Sequence, residues 1–282
     1  MELILSTGSI RGVTPARLFA IAQTVGFEGL EYVVAPDHTA ANVNEIKILA
    51  DDTGLRVLNV HAPYMPVPGW GDQIDSLRLT VELAVHLGAR SVTFHPPQRV
   101  MQDVDFARWI SSIEDFQRDV GGGEVVVTME NMPKVRSWRG FRVPFTTSPF
   151  RYQDRDELWE LLERHNLFMT FDTTHYGTTG ESLGGTFAQF RERVKTIHLS
   201  NFRSRDFEEH TPLDDGDLDL AGFLRRVESS RYDGLITLEV RPQAFEQDPD
   251  GPKQALQRNV KWFRDVLGSL RRDPHPEVRP AG

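Results

Sequence analysis

Short apolar runs in this chain repeatedly end on an imidazole or a carboxylate. Arg56-Val-Leu-Asn-Val60 leads into His61, Ser91-Val-Thr-Phe94 into His95, and Glu124-Val-Val-Val-Thr-Met129 into Glu130. Phe168-Met-Thr-Phe171 leads into Asp172, with His175 three positions later; Lys195-Thr-Ile197 leads into His198 and Leu235-Ile-Thr-Leu238 into Glu239. The segment after His198 adds Glu208, Glu209 and His210. An unpaired charge is too costly to bury within an apolar strand, but at the strand's end it can point at a cation. Imidazole and carboxylate donors without thiolate suit Zn²⁺, Mn²⁺, Fe²⁺ or Co²⁺. The pattern therefore predicts a divalent-metal site. His86 and His165 fall in helical stretches, His38 in a loop and His275 in the tail, so they stand apart from it.

The elements that must position these groups alternate along the chain. Leu3–Leu5, 29–34, 56–60, 91–94, 124–129, 168–171, 195–199 and 235–239 read as β-strands, each followed by a helical stretch. Thr14 caps the first helix, with Pro15 in its first turn and Gly26 as its stop. Asn42 with Glu45 forms a capping-box pattern for the second. Further helices are expected around residues 103–119, from Asp154, near Phe187 and Phe190, and over 218–230 and 252–267. Eight strand–helix units in one chain predict an α/β fold, a closed (β/α)8 TIM barrel over residues 1–270. An open doubly wound sheet is the competitor, but no Gly-x-Gly-x-x-Gly follows the first strand. In such a barrel the active site lies at the C-terminal strand ends, where the imidazoles and carboxylates collect. The Pro- and charge-rich stretch 271–282 is expected to be a disordered tail.

Composition narrows the function classes. A hydrophobic fraction of 39% with 26% charged residues describes a water-soluble globular chain, and no run approaches the ~18 apolar residues a membrane span needs. The chain contains no cysteine and shows no basic stretch before its first apolar run, which predicts a cytoplasmic location. The net charge of −9 argues against non-specific nucleic-acid binding.

Val60-His61-Ala-Pro-Tyr64, Phe94-His95-Pro, Met129-Glu130-Asn131, Phe171-Asp172-Thr-Thr-His175, Ile197-His198-Leu, His210-Thr-Pro-Leu-Asp-Asp-Gly216 and Leu238-Glu239 together resemble the xylose-isomerase-like TIM barrels. That superfamily includes sugar isomerases and epimerases and the endonuclease IV, or AP endonuclease family 2, nucleases. Resemblance to the ketose 3-epimerases implies one ion held by Glu130, Asp172, His198 and Glu239. It further implies Glu130 and Glu239 as the acid/base pair, with His175 and Arg203 on substrate oxygens. Resemblance to endonuclease IV implies three zinc ions and adds His61, His95, His175 and His210, with Glu208 standing where that family has Asp.

Lys134–Tyr152 interleaves Lys134, Arg136, Arg139, Arg142 and Arg151 with Trp138, Phe141, Phe145, Phe150 and Tyr152. It contains no acidic residue, and it suits a lid, an oligomer contact or a nucleic-acid contact. Trp138 and Tyr64 are candidate substrate contacts, and Trp70 lines a pocket or packs its loop. Glu31 ends the second strand or touches a sugar hydroxyl. The expected activity is a metal-dependent isomerase or epimerase acting on a sugar or sugar phosphate. A multinuclear zinc phosphodiesterase acting on abasic-site DNA is the alternative, and only that alternative involves nucleic acid.

Overall fold

A computed structural model describes residues 1–36, 40–99, 103–138, 141–246, 248 and 251–272. Eight parallel strands close on themselves: β1 Glu2–Ser6, β2 Gly29–Val33, β3 Arg56–His61, β4 Ser91–Phe94, β5 Val126–Glu130, β6 Phe168–Asp172, β7 Val194–Leu199 and β8 Leu235–Leu238. β1 completes the ring by pairing with β8, Ile4 opposite Thr237, while its other edge pairs with β2. The expected (β/α)8 barrel is therefore the fold.

Helices sheathe the strands because each carries an apolar stripe. Pro15–Val25 buries Leu18, Phe19, Ala22 and Val25 and begins where the Thr14 hydroxyl accepts the Arg17 N–H. Gly26 ends it at φ 89°, a left-handed stop that costs glycine nothing. Outside the strands the core is strongly aromatic: Phe171 stacks on Phe223 at 5.4 Å and meets Phe187 edge-on at 5.9 Å. Inside the barrel the layer beneath the site is polar instead. Thr170 Oγ1 lies 2.8 Å from that of Thr93 and 2.7 Å from that of Thr128, a closed set of hydrogen bonds that needs no water.

Four expectations shift. The helix over 103–119 is two, Val104–Ser112 and Phe116–Asp119, because Asp115 restarts the chain by accepting the Gln117 and Arg118 N–H groups. The second helix spans Ala40–Thr53, so Asn42 lies within it rather than before it; its side chain is outside the described residues. The basic, aromatic segment after β5 carries an antiparallel hairpin, Val135–Trp138 with Phe141–Thr147. The chain also turns directly from β6 into an unforeseen helix, Thr173–Thr179, with Asp172 as its N-cap. Of the expected tail, Arg271 and Arg272 end the last helix, Pro252–Arg272, and the rest falls outside the described residues, as does His38.

Candidate metal centre

The strand ends bring His61, His95, Glu130, Asp172, His198 and Glu239 together, and the first helical turn after β6 adds His175. His210 arrives separately on a second hairpin, Asn201–Arg203 with Glu208–Thr211, in a left-handed backbone conformation at φ 52°. Such a conformation is uncommon for a non-glycine residue and is held here by its neighbours. The donor atoms fall into three groups, each compact enough for one cation: His61, His95 and Glu130; Glu130, Asp172, His198 and Glu239; and Asp172, His175 and His210. Glu130 belongs to the first two and Asp172 to the last two.

The hydrogen bonds fix which ring nitrogens face inward. His61 Nδ1 lies 2.7 Å from the Ala62 carbonyl and must donate to it, so its Nε2 aims a lone pair at Glu130 Oε2, 3.1 Å away. His198 donates Nε2–H to the Glu31 carboxylate at 2.8 Å, leaving Nδ1 2.7 Å from Glu239 Oε2 and 3.4 Å from Glu130 Oε1. His175 Nδ1 lies 2.7 Å from the Asn131 carbonyl, and its Nε2 faces His210 Nε2 at 3.2 Å. Lone pairs aimed at carboxylates or at one another repel unless a proton or a cation lies between them. Asp172 Oδ2, His198 Nδ1 and Glu239 Oε2 are all buried without a hydrogen-bond partner. A divalent cation satisfies every one of these groups, so the residues fit a metal.

The electrostatics show protons taking that place in the metal-free chain. Burial alone would lower His198 and His175. The charges of Glu31, Glu239 and Glu130 instead hold His198 well above an ordinary histidine, and Asp172 with Glu130 raises His175 to about 10. Burial outweighs the flanking imidazoles at Asp172 and raises it to about 6. At Glu130 and Glu239 burial is overcome, chiefly by His198: Glu130 lies well below the usual carboxylate range and Glu239 falls to about 2. His95 is lowered, because burial there exceeds the pull of Glu130.

A cavity of about 770 Å³ opens above the centre, lined by Tyr64, His95, Glu130, His175, His210 and Glu239, and also by Arg11, Arg241 and Gln243. Tyr64 stands half-exposed, its ring 5.4 Å from that of His95 and 5.1 Å from that of His61. Phe150 meets His95 edge-on at 6.5 Å. The other expected residues are placed differently. Glu208 is ion-paired to Arg203 and Arg241 and is absent from the three donor groups. Arg203 also pairs with Asp206 at 3.0 Å and Asp215 at 2.7 Å and lines a second, smaller cavity. The side chains of Trp138, Arg139, Phe141 and Arg142 lie outside the described residues, whereas Arg136 sits 4.5 Å over the Phe207 ring. Trp70 packs partly buried against the core. Glu31 touches neither solvent nor the cavity: fully buried, it accepts from Asn59 Nδ2 at 2.7 Å as well as from His198.

Residues 19–266 match the model of the xylose isomerase-like TIM barrel family, and the chain belongs to that family. A Mycobacterium leprae protein of uncharacterised activity is 23% identical over 249 residues, covering 84% of this chain and 87% of its own. Among solved structures, a D-tagatose 3-epimerase-like protein superposes with a TM-score of 0.70 at 17% identity, covering 98% of this chain and 100% of that one. An AP endonuclease of family 2 from Brucella melitensis superposes with a TM-score of 0.68 at 16% identity, covering 94% and 99%. Others of this fold are sugar 3-epimerases and a probable dehydratase. At these identities the likeness is one of fold. No helix among the described residues is long and apolar enough to cross a membrane.

Proposed function

We propose that the protein is a metal-dependent isomerase or epimerase of a small polyhydroxylated substrate, a sugar or sugar phosphate. The observation that carries this reading is Glu239: a carboxylate, 16% exposed, lining a cavity of about 770 Å³. That volume suits one small molecule rather than a strand of nucleic acid. Glu130, Asp172, His198 and Glu239 would hold the principal cation. When bound, such a cation places positive charge beside a substrate carbonyl and so acidifies the adjoining C–H.

The chain's own groups then move the proton. Glu239, whose side chain lines the cavity while its Oε2 is turned to His198, takes it from carbon on the face it reaches. Glu130 is only 1% exposed, with Oε2 shared between His61 Nε2 at 3.1 Å and His95 Nε2 at 3.3 Å. The return proton reaches the opposite face of the carbon by way of Glu130 and His95, which is 25% exposed and draws it from solvent, while Glu239 releases the proton it took. Tyr64 and His175 line the cavity as substrate contacts. Arg203 is tied up by acids, which leaves Arg11 and Arg241 as the guanidinium groups lining it.

A second reading, a multinuclear metallohydrolase, draws on the completeness of the two flanking groups, His61 with His95 and His175 with His210, which a single-ion proton transfer does not require. The test is proton exchange in D₂O with a panel of ketoses and ketose phosphates, followed by NMR, beside cleavage of abasic-site DNA. Deuterium incorporated at carbon supports the first reading. Strand cleavage without any exchange overturns it in favour of the second.

A further inference from the structure

Beneath the centre, on the side away from the cavity, lies a carboxylate that no step above uses. Glu31 sits on β2, buried completely, and reaches across the barrel to His198 on β7. Its Oε2 accepts His198 Nε2–H at 2.8 Å and Asn59 Nδ2–H at 2.7 Å, whereas its Oε1 has no partner. Asn59 is itself fixed: its Nδ2 also reaches Thr93 Oγ1 at 2.9 Å and its Oδ1 accepts the Ser91 hydroxyl at 2.7 Å. Thr93 continues into the Thr128 and Thr170 hydroxyls, so the support runs unbroken from β2 to β6. A buried anion kept at this cost, and bonded to the far nitrogen of a central imidazole, has no packing purpose that Gln or Leu would not serve.

We infer that Glu31 is the positioning residue of the central cation site: it fixes the His198 ring so that Nδ1 faces Glu130, Asp172 and Glu239, and it sets that site's affinity above those of the two flanking ones. His61 contrasts with it directly: its far nitrogen rests on the neutral Ala62 carbonyl at 2.7 Å. His175 Nδ1 divides between the Asn131 carbonyl at 2.7 Å and Glu130 Oε1 at 3.1 Å, a carboxylate already committed to the donor groups rather than one reserved for the ring. A carboxylate partner makes an imidazole a stronger donor than a carbonyl partner does. The central site therefore fills first and empties last.

The inference rests on reading the centre as a metal site, and its test separates the two. Wild type, Glu31→Gln and Asn59→Ala are loaded with Zn²⁺, counted by elemental analysis and titrated with a competing chelator. Circular dichroism of the metal-free forms serves as the folding control. Glu31→Gln is expected to weaken the tightest site roughly 10- to 100-fold and leave any weaker sites where they were. Asn59→Ala keeps the charge and weakens the same site by less, which preserves the test if the first variant does not fold. In Co²⁺-loaded wild type, the shifted His198 Nε2–H resonance is expected to persist in water and to broaden by exchange in Glu31→Gln. Unchanged tightest-site affinity and an unchanged resonance in a folded Glu31→Gln protein overturn the role of Glu31. A wild type that takes up no metal overturns the metal reading beneath it.

Discussion

The Nε2 atoms of His175 and His210 face each other at 3.2 Å, although the two residues come from different elements and each ring uses Nδ1 elsewhere, His175 on the Asn131 carbonyl and His210 beside the Ser200 hydroxyl. Two bare lone pairs would repel at that distance, so a proton or a cation lies between the two nitrogens. With Asp172 their donor atoms lie close enough together to hold one cation. His210→Ala is expected to lose one equivalent of bound metal while His61, His95 and Glu130 keep theirs; elemental analysis after gel filtration reads the change. Unaltered metal content would remove His210 from the donors.

Metal uptake must displace protons. His175 is raised to about 10 in the metal-free chain, so at pH 7.5 its ring is cationic and must lose a proton before it can donate a lone pair. A raised histidine stabilises the fold fully below its unfolded value of about 6.5, and this contribution is lost as pH rises through the folded value. Asp172, raised to about 6, acts in the same sense, its penalty growing as pH rises from 3.8. The metal-free chain should therefore melt at falling temperature between about pH 6.5 and 10. Added Zn²⁺ should reverse that slope and acidify a weakly buffered solution, which an indicator dye detects.

Glu239→Gln keeps the volume and removes the base. Proton exchange on the active ketose is expected to fall by about 10²- to 10⁴-fold, the usual worth of a positioned general base. Circular dichroism should be unchanged, because this side chain borders the cavity rather than the core.

Glu208 gives a sharper discrimination. Its two arginine partners, Arg203 and Arg241, occupy its carboxylate. Glu208→Gln should leave metal content unchanged and loosen the hairpin that carries His210, seen as faster amide exchange over residues 208–211. Loss of a full metal equivalent would show instead that Glu208 swings inward to ligate.

Phe171 ties the core to the centre. It is fully buried, stacked on Phe223 and 4.8 Å from the Tyr176 ring, and the next residue is Asp172. Phe171→Ala should cost about 3–5 kcal/mol of stability in a denaturant titration of the metal-loaded protein.

The barrel and most of the centre could be read from the chain because both are written locally. A buried strand announces itself as an apolar run, and a group that cannot be buried marks its end, as Phe171-Asp172 and Ile197-His198 do. What could not be read depends on distance in sequence. Glu31 looks like the close of an ordinary strand, since its partner His198 lies 167 residues away and nothing local distinguishes a carboxylate aimed inward. Arg203 and Glu208 sit at positions that suggest contact with the site, yet they satisfy each other, and only their geometry reveals it. The break at Asp115 is hidden in the sequence because the apolar stripe resumes at Phe116 and masks the new cap.

His210 is the donor that does not belong to the barrel. Every other one stands on a barrel strand, immediately after one, or in the first turn that follows; His210 rides on a hairpin paired only with itself. The flanking position it completes is thus modular. A family member can gain or lose that position by rewriting one surface loop, with the eight strands and their ring of ligands left intact. Of the two flanking groups on which the hydrolase reading draws, one thus hangs on a single hairpin, while the other, His61 with His95, is fixed by the barrel itself.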